Sequence, residues 1–207
     1  MQFNRESAVI VIDMQNDFCS SDGALARRGA DVARNQQVAK ALPPFLDRAR
    51  DAGALIIWIR QGARDEYVSD ARRARAAAMG RGVTEVAGAG TWGAELYDGL
   101  VPAEGDVTIE KTKYSAFVDT PLRNVLHSRN RNTIIVCGTA ANVCVDSTVR
   151  DGYMSDLTVI VPSDMVGYTS KELADAALKN LNFYFCDVVD SDSMFTYGSV
   201  TADGSAS

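Results

Sequence analysis

The stretch that decides the fold of this chain is residues 136–151, which read VCGTAANVCVDSTVRD. The apolar residues 133–137 are largely β-branched and too few for a helix, so they predict a buried strand. Gly138 ends that strand in a turn. A helix should follow, because the side chain of Thr139 or Asn142 can cap its first backbone N–H groups. The stretch therefore predicts a strand–turn–helix unit.

Cys144 would lie on the first turn of that helix, where the positive end of the helix dipole favours a thiolate. It is our candidate nucleophile; the alternative is a buried structural cysteine. Two other reactive side chains follow apolar segments: Asp13 comes after residues 8–12, and Lys111 comes after residues 106–110. Asp13 taken alone could equally be a turn or capping residue. In a parallel sheet the carboxyl ends of the strands share one edge, so we expect the three side chains to meet there.

Strand patterns alternate with helical patterns along the chain, which predicts a mostly parallel six-stranded sheet in a three-layer α/β/α architecture. The strands are predicted at residues 8–12, 54–59, 106–110, 133–137, 156–161 and 183–189. Apart from the helix after Gly138, helices are predicted at residues 31–52, 70–79, 95–100, 121–127 and 171–181. Pro43 and Pro44 should split or kink the first of these helices.

The 207 residues suffice for one domain with a full core, so we predict a single domain over 1–207. Within it, residues 61–105 are interpreted as a lid or insertion and residues 201–207 as a loose tail. A net charge of −6 argues against nucleic acid and anionic membranes as the main partners, and it says nothing about a small-molecule substrate. The chain starts without a secretory signal pattern, and its four cysteines are scattered, so we expect a cytoplasmic protein with free thiols.

Cofactor chemistry has few candidate residues. His127 is the only histidine, so it is the one residue that could supply the histidine of a Cys/His zinc site or of a Ser-His-Asp triad. Its place in the last turn of a predicted helix favours a structural role. No Gly-x-Gly-x-x-Gly follows the first strand, which argues against a dinucleotide. We therefore predict neither a cofactor nor a metal ion.

Three blocks carry a family resemblance: VIDMQNDF at residues 11–18, EKTKYSAF at residues 110–117 and GTAANVCVDSTVRDG at residues 138–152. With these blocks the chain resembles the isochorismatase-like cysteine hydrolases over residues 9–189. The resemblance implies the Rossmann-like fold of that family. It also implies that Asp13, Lys111 and Cys144 correspond to the family's Asp-Lys-Cys triad. Lys113 is the rival lysine, but the family's spacing to the Ser-Ala-Phe element favours Lys111.

The resemblance implies further features of the site. A cis peptide bond is expected at Thr139–Ala140, with the backbone N–H groups of Ala140 and Cys144 forming an oxyanion hole. The cysteine favours an amidohydrolase, because isochorismatases of this fold do not use it. Our candidates for the walls of the substrate pocket are Phe18, Gln61 and Trp92.

The implied activity is cleavage of a C–N bond in a small carbamoyl, ureido or primary carboxamide substrate, with ammonia released and a thioester formed on Cys144. Local matches at residues 90–93, 101–106 and 142–148 resemble the ureidoacrylate amidohydrolase and N-carbamoylsarcosine amidase branch. The segment 60–67 lacks the Asp-x-His metal site of nicotinamidases. A vinyl-ether hydrolase of the isochorismatase type and a catalytically silent binding protein are the alternatives. Dimers and tetramers are usual in this family, so the resemblance also implies a homodimer or homotetramer.

Overall fold

The computed structural model describes residues 5–80 and 82–195, so the predicted loose tail at 201–207 lies outside the described residues. Within them the strands are β1 (Ser7–Ile12), β2 (Leu55–Gln61), β3 (Val107–Lys111), β4 (Thr133–Gly138), β5 (Thr158–Pro162) and β6 (Asp187–Val189). They form one sheet in the order β3-β2-β1-β4-β5-β6, and every neighbouring pair is parallel. The predicted six-stranded parallel sheet is confirmed.

Helices cover both faces of the sheet and complete the predicted three layers. Over the described residues they are α1 (Asn16–Cys19), α2 (Ala24–Arg27), α3 (Ala33–Asp51), α4 (Asp70–Ala78), α5 (Leu122–Ser128), α6 (Asp146–Tyr153) and α7 (Lys171–Tyr184). Alternate residues of β1 face opposite sides. Val9 and Val11 pack in the core under α3, whereas Ile10 and Ile12 pack in the core under α5, α6 and α7. No helix in the described ranges is long and apolar enough to cross a membrane.

The strand order reverses between β1 and β4, and this reversal places the site. In open α/β sheets ligands bind beyond the carboxyl ends of the strands at such a point. Gly138 ends β4 there with φ +99°, a conformation that favours glycine. A side chain on Gly138 would collide with the backbone of Ile12. Glycine therefore lets the ends of β1 and β4 approach closely.

The predicted split at Pro43 and Pro44 is wrong, since α3 runs without interruption from Ala33 to Asp51, and the alternative of a kink there stays a prediction. Both prolines are exposed. Their rings therefore face solvent and leave the apolar side of α3 free to pack on the sheet.

Two other predicted elements differ from the structure, one because of a distant partner and one because a neighbouring helix is longer than predicted. Residues 95–100 form no helix: a short 3₁₀ turn, Trp92–Ala94, leads into a segment whose backbone pairs with residues 14–16. The sixth strand is much shorter than predicted, because α7 continues through Tyr184 and its last turn accepts hydrogen bonds from Phe185 and Cys186 at the Leu181 carbonyl.

A buried carboxylate fixes the start of β3. Asp106 Oδ2 accepts hydrogen bonds from Arg50 Nη2 at 2.7 Å, from Trp58 Nε1 at 2.8 Å and from the Ala103 N–H at 2.9 Å. Burial alone would raise the pKa of Asp106, but the hydrogen bonds from Arg50 and Trp58 outweigh it and hold the pKa below its usual value. Asp106 therefore ties α3, β2 and β3 together.

We predict that Asp106→Asn lowers the free energy of unfolding by about 2–4 kcal/mol at neutral pH, because it leaves buried donors unpaired. The wild-type carboxylate stabilises the fold above its unfolded pKa near 3.8, and this stabilisation is lost as pH falls through the lower folded pKa. The difference between the two proteins should therefore shrink in acid. Urea denaturation at a series of pH values measures it. Asp51→Asn, exposed at the end of the same helix as Arg50, is the control. Equal stability of Asp106→Asn and wild type at neutral pH would contradict the prediction.

Candidate active site

Lys111, the last residue of β3, is a buried cation at the carboxyl edge of the sheet. Its Nζ donates to Asp13 Oδ2 at 2.7 Å, to Gln61 Oε1 at 3.0 Å and to the Lys113 carbonyl at 3.1 Å. An ammonium group has three protons and no acceptor, so three oxygen acceptors match its charged form. Burial alone would lower the pKa of Lys111, but the charge of Asp13 and its hydrogen bond outweigh burial and raise the pKa. Lys111 is therefore held as an ammonium.

The rival lysine does not reach this cluster. Lys113 contributes only its carbonyl, and its own Nζ lies 3.3 Å from the Tyr67 carbonyl at the surface. The structure thus brings Lys111, and not Lys113, beside Asp13 and Cys144.

Asp13 leaves β1 with φ +49° and is completely buried. Aspartate tolerates this left-handed conformation better than most residues, and here it turns the carboxylate towards Lys111. Oδ2 pairs with Lys111, whereas Oδ1 is buried without a hydrogen-bond partner. Burial raises the pKa of Asp13 above its usual value, against the opposing effect of Lys111. A carboxylate with one free oxygen and a raised pKa is suited to accept a proton.

Cys144 follows β4 on one π-helical turn, Ala141–Val145, which leads directly into α6. Turns of this kind are often found at functional sites. The Cys144 Sγ is buried and lies 3.5 Å from Lys111 Nζ. The predicted meeting of Asp13, Lys111 and Cys144 at one edge is therefore what the geometry shows, although their roles stay predictions.

Two details of the predicted turn are wrong. No side chain caps the π-helical turn, because the residue at its N-cap position is Ala140, and the hydroxyl of Thr139 donates to Asn35. The thiolate at rest is also not supported. Burial and the charge of Asp13 raise the pKa of Cys144, and Lys111 offsets this only in part since its protons already serve three oxygens. This raised pKa favours a thiol over a thiolate at neutral pH.

The peptide bond Thr139–Ala140 is cis, as the resemblance implied. The carbonyl of Ala140 accepts from the N–H groups of Val143 at 3.0 Å and Val145 at 3.2 Å. This carbonyl oxygen is therefore engaged by the π-helical turn. The predicted oxyanion hole at the N–H groups of Ala140 and Cys144 stays a prediction.

The three candidate pocket residues lie in different surroundings. Gln61 is buried beside Lys111, and its Nε2 has no hydrogen-bond partner. Phe18 is partly buried and packs against the core under α3. Trp92 has 48% of its surface exposed, and its carbonyl accepts from Asn16 Nδ2 at 2.9 Å. Only Gln61 directly contacts one of the three clustered residues, through Lys111.

Gln15 is a contributor that sequence reasoning missed. Its side chain accepts from the Gln61 N–H at 2.8 Å and donates to the Gln61 carbonyl at 2.9 Å and the Ala94 carbonyl at 2.7 Å. These bonds fix the end of β2 against the end of β1. A fully buried polar residue inside the block 11–18 was the available signal. Across residues 5–80 and 82–195, no group of three or more His, Cys, Asp or Glu side chains could hold a metal ion.

The chain has a parallel α/β sheet, and a buried Asp, Lys and Cys meet at the carboxyl edge of that sheet. Fold and site together identify it as an α/β protein with a cysteine-containing polar site. The chain belongs to the isochorismatase family, since the profile of the Isochorismatase domain matches residues 7–193.

Relatives and solved structures agree with this assignment. The ureidoacrylate amidohydrolase RutB of Enterobacter sp. (strain 638) is 36% identical over 211 residues, which cover 92% of each chain. The crystal structure of a cysteine hydrolase from Pseudomonas syringae pv. phaseolicola 1448A superposes with a TM-score of 0.80 at 29% identity, over 91% of this chain and 90% of that one. The N-carbamoylsarcosine amidase of Thermoplasma acidophilum shares the fold, with a TM-score of 0.71 at 23% identity over 93% and 98% of the two chains.

We predict that Asp13→Asn speeds alkylation of Cys144, although Asp13 is a candidate catalytic group. Removing the carboxylate charge lowers the pKa of the thiol, and a fall of about one unit increases the thiolate fraction roughly tenfold. The rate of reaction with iodoacetamide between pH 7 and 10, followed at Cys144 by mass spectrometry, measures it. Lys111→Met is the matched opposite and should slow the reaction, because Lys111 lowers the same pKa. Slower alkylation of Asp13→Asn would contradict the assignment of a resting thiol.

Proposed function

We propose that this protein is a cysteine amidohydrolase that releases ammonia from a small carbamoyl, ureido or primary carboxamide substrate. The observation that carries the proposal is the contact of Lys111 Nζ with both Asp13 Oδ2, at 2.7 Å, and Cys144 Sγ, at 3.5 Å. This contact supports the roles that we propose for the buried cluster, with Asp13 as the acid–base group, Lys111 as the cation and Cys144 as the nucleophile. The amidohydrolase relative at 36% identity supports the same reaction class.

In the proposed acylation, the Cys144 sulfur attacks the carbonyl carbon while its proton passes to Asp13 Oδ1, the oxygen that Lys111 leaves free. The N–H groups of Ala140 and Cys144 stabilise the oxyanion, a contribution of about 2.7–4 kcal/mol for one such donor in other enzymes. Asp13 then returns the proton to the departing nitrogen. Ammonia leaves, and a thioester remains on Cys144.

In the proposed deacylation, Asp13 takes a proton from water as the water oxygen attacks the thioester. The tetrahedral intermediate collapses, the C–S bond breaks, and the proton on Asp13 returns to sulfur. Lys111 remains protonated throughout and stabilises the negative charge on Asp13 and on the sulfur. Asp13 and Lys111 titrate as a coupled pair, so pH–rate profiles report the pair.

Gln61 is suited to bind an oxygen atom of the substrate. Its Oε1 is used by Lys111, while Nε2 remains a buried donor without a partner. A buried amide donor is costly to leave unpaired, and a carbonyl or carboxylate oxygen of the substrate would satisfy it. The role predicted for Gln61 thus becomes a specific proposal, whereas Phe18 and Trp92 stay candidates for the pocket walls.

The first test is ammonia release from ureidoacrylate, N-carbamoylsarcosine, biuret, nicotinamide and simple carboxamides. Wild type should hydrolyse at least one of these, and Cys144→Ala should abolish that turnover because no nucleophile remains. Cys186→Ala is the matched control, since Cys186 is another free cysteine outside the site and its loss should leave turnover unchanged.

Retained turnover in Cys144→Ala would overturn the proposal. Cleavage of isochorismate by both wild type and Cys144→Ala would favour the vinyl-ether hydrolase. An absence of turnover on the whole panel, together with a thiol whose reactivity ignores Asp13→Asn, would favour the catalytically silent binding protein.

We predict that Gln61→Glu raises KM about tenfold, because it keeps an oxygen for Lys111 but replaces the donor that faces the substrate. Steady-state kinetics on the best substrate of the panel give KM and kcat separately. Gln36→Glu, on α3 and away from the site, is the control for the added charge. An unchanged KM in Gln61→Glu would show that this amide does not contact the substrate.

A further inference from the structure

Asn35 is a polar residue on the apolar side of α3, between the buried residues Val32 and Val38. Its exposure is 0%. Its Nδ2 donates to the Phe18 carbonyl at 2.6 Å, and its Oδ1 accepts from Thr139 Oγ1 at 3.1 Å. The Phe18 carbonyl can only accept, so this hydrogen bond fixes which end of the amide faces Thr139.

The turn at residues 138–141, which links β4 to the π-helical turn of Cys144, is held from three sides. The Thr139 N–H donates to the Ile12 carbonyl at 2.9 Å. Gly167 donates to the Gly138 carbonyl and accepts from the Ala141 N–H, each at 2.9 Å. Asn35 provides the third attachment through the Thr139 hydroxyl.

Asn35 also packs against the Gly167 side of the same turn. A Cβ atom on Gly167 would collide with Asn35 Oδ1 and would lie 3.3 Å from Thr139 Cβ. One buried amide thus fills the space between α3, the turn and the segment at Gly167. A shift of this amide would move the hydroxyl of Thr139, the residue directly before Ala140.

We infer that Asn35 is a positioning residue that sets the place of the turn at residues 138–141, and with it the Ala140 N–H. The inference rests on the proposed function, in which this N–H stabilises the oxyanion. Among the described residues, the side chain of Asn35 forms hydrogen bonds with Phe18 and Thr139 and not with Asp13, Lys111 or Cys144, so it acts on the donor and not on the nucleophile. A donor that is displaced by a fraction of an ångström no longer matches the position of the oxyanion in the transition state. It therefore stabilises the transition state less, and the reaction slows.

The experiment compares Asn35→Ala, Thr139→Val and the double variant. Each single change should lower kcat roughly 10- to 100-fold, because small misplacements around a reacting group have effects of that size. KM, the pH profile and the alkylation rate of Cys144 should change little. The double variant should be no worse than the more damaging single variant, since both single changes remove the same hydrogen bond between Thr139 and Asn35. Thr139→Ser, which keeps the hydroxyl, should regain most of the kcat that Thr139→Val loses.

Val38→Ala is the matched control. Val38 is fully buried one turn further along α3, in the apolar core, so its truncation damages the same helix without touching the turn. It should lower the melting temperature and leave kcat unchanged. A loss of kcat in Asn35→Ala no larger than that in Val38→Ala, or a parallel collapse of Cys144 alkylation, would overturn the inference.

Crystal structures of wild type and Asn35→Ala give a readout that does not depend on activity. We expect residues 139 and 140 to shift in the variant while Asp13 and Lys111 keep their places. An unmoved turn would overturn the inference even if the enzyme is active. If wild type lacks turnover that depends on Cys144, the proposed function fails, and the position of the turn still decides the role of Asn35.

Discussion

The structure depends on keeping one ammonium group, that of Lys111, charged away from water. An unpaired buried charge is costly, and its cost is reduced only when partners replace the lost hydration. The partners here are oxygen atoms of Asp13, Gln61 and Lys113, which come from the ends of β1 and β2 and from the residues just after β3. The carboxyl edge of the sheet must therefore hold its shape. Gln15 contributes by binding both backbone groups of Gln61, so that the partners of the ammonium are themselves fixed.

The same arrangement explains why the site holds an ion pair and a neutral thiol. Lys111 directs its protons to oxygens and only approaches the sulfur of Cys144, so the negative charge at rest lies on Asp13. Asp13 has a raised pKa and one free oxygen, and this makes it a better base than an exposed carboxylate. In the proposed reaction the thiol gives up its proton only as the bond to carbon forms. A buried cysteine of this kind avoids the exposure of a permanent thiolate to oxidants.

The sequence was informative where a local pattern determines structure, and less so where a distant partner does. The apolar segments predicted the parallel sheet, and the residues after them predicted the cluster of Asp13, Lys111 and Cys144. The helix predicted at 95–100 fails because that segment pairs with residues 14–16, a contact that no local pattern encodes. The thiolate prediction fails for a related reason: the dipole argument considered the helix alone, whereas burial and Asp13 determine the pKa. Gln15 and Asn35 could have been noticed as polar residues at buried positions, although their partners could not have been named.

The members of the cluster are far apart along the chain. Asp13 and Lys111 are 98 positions apart, and Lys111 and Cys144 are 33 apart. Each gap is bridged by crossover connections of a parallel sheet, which form slowly because long loops must close first. During synthesis, Asp13 emerges from the ribosome long before its cation and stays solvated until β3 docks. The sulfur arrives later still, with β4 at the centre of the sheet. The reactivity that we propose is thus a property of the finished fold, since a nascent or partly unfolded chain lacks the assembled cluster of Asp13, Lys111 and Cys144.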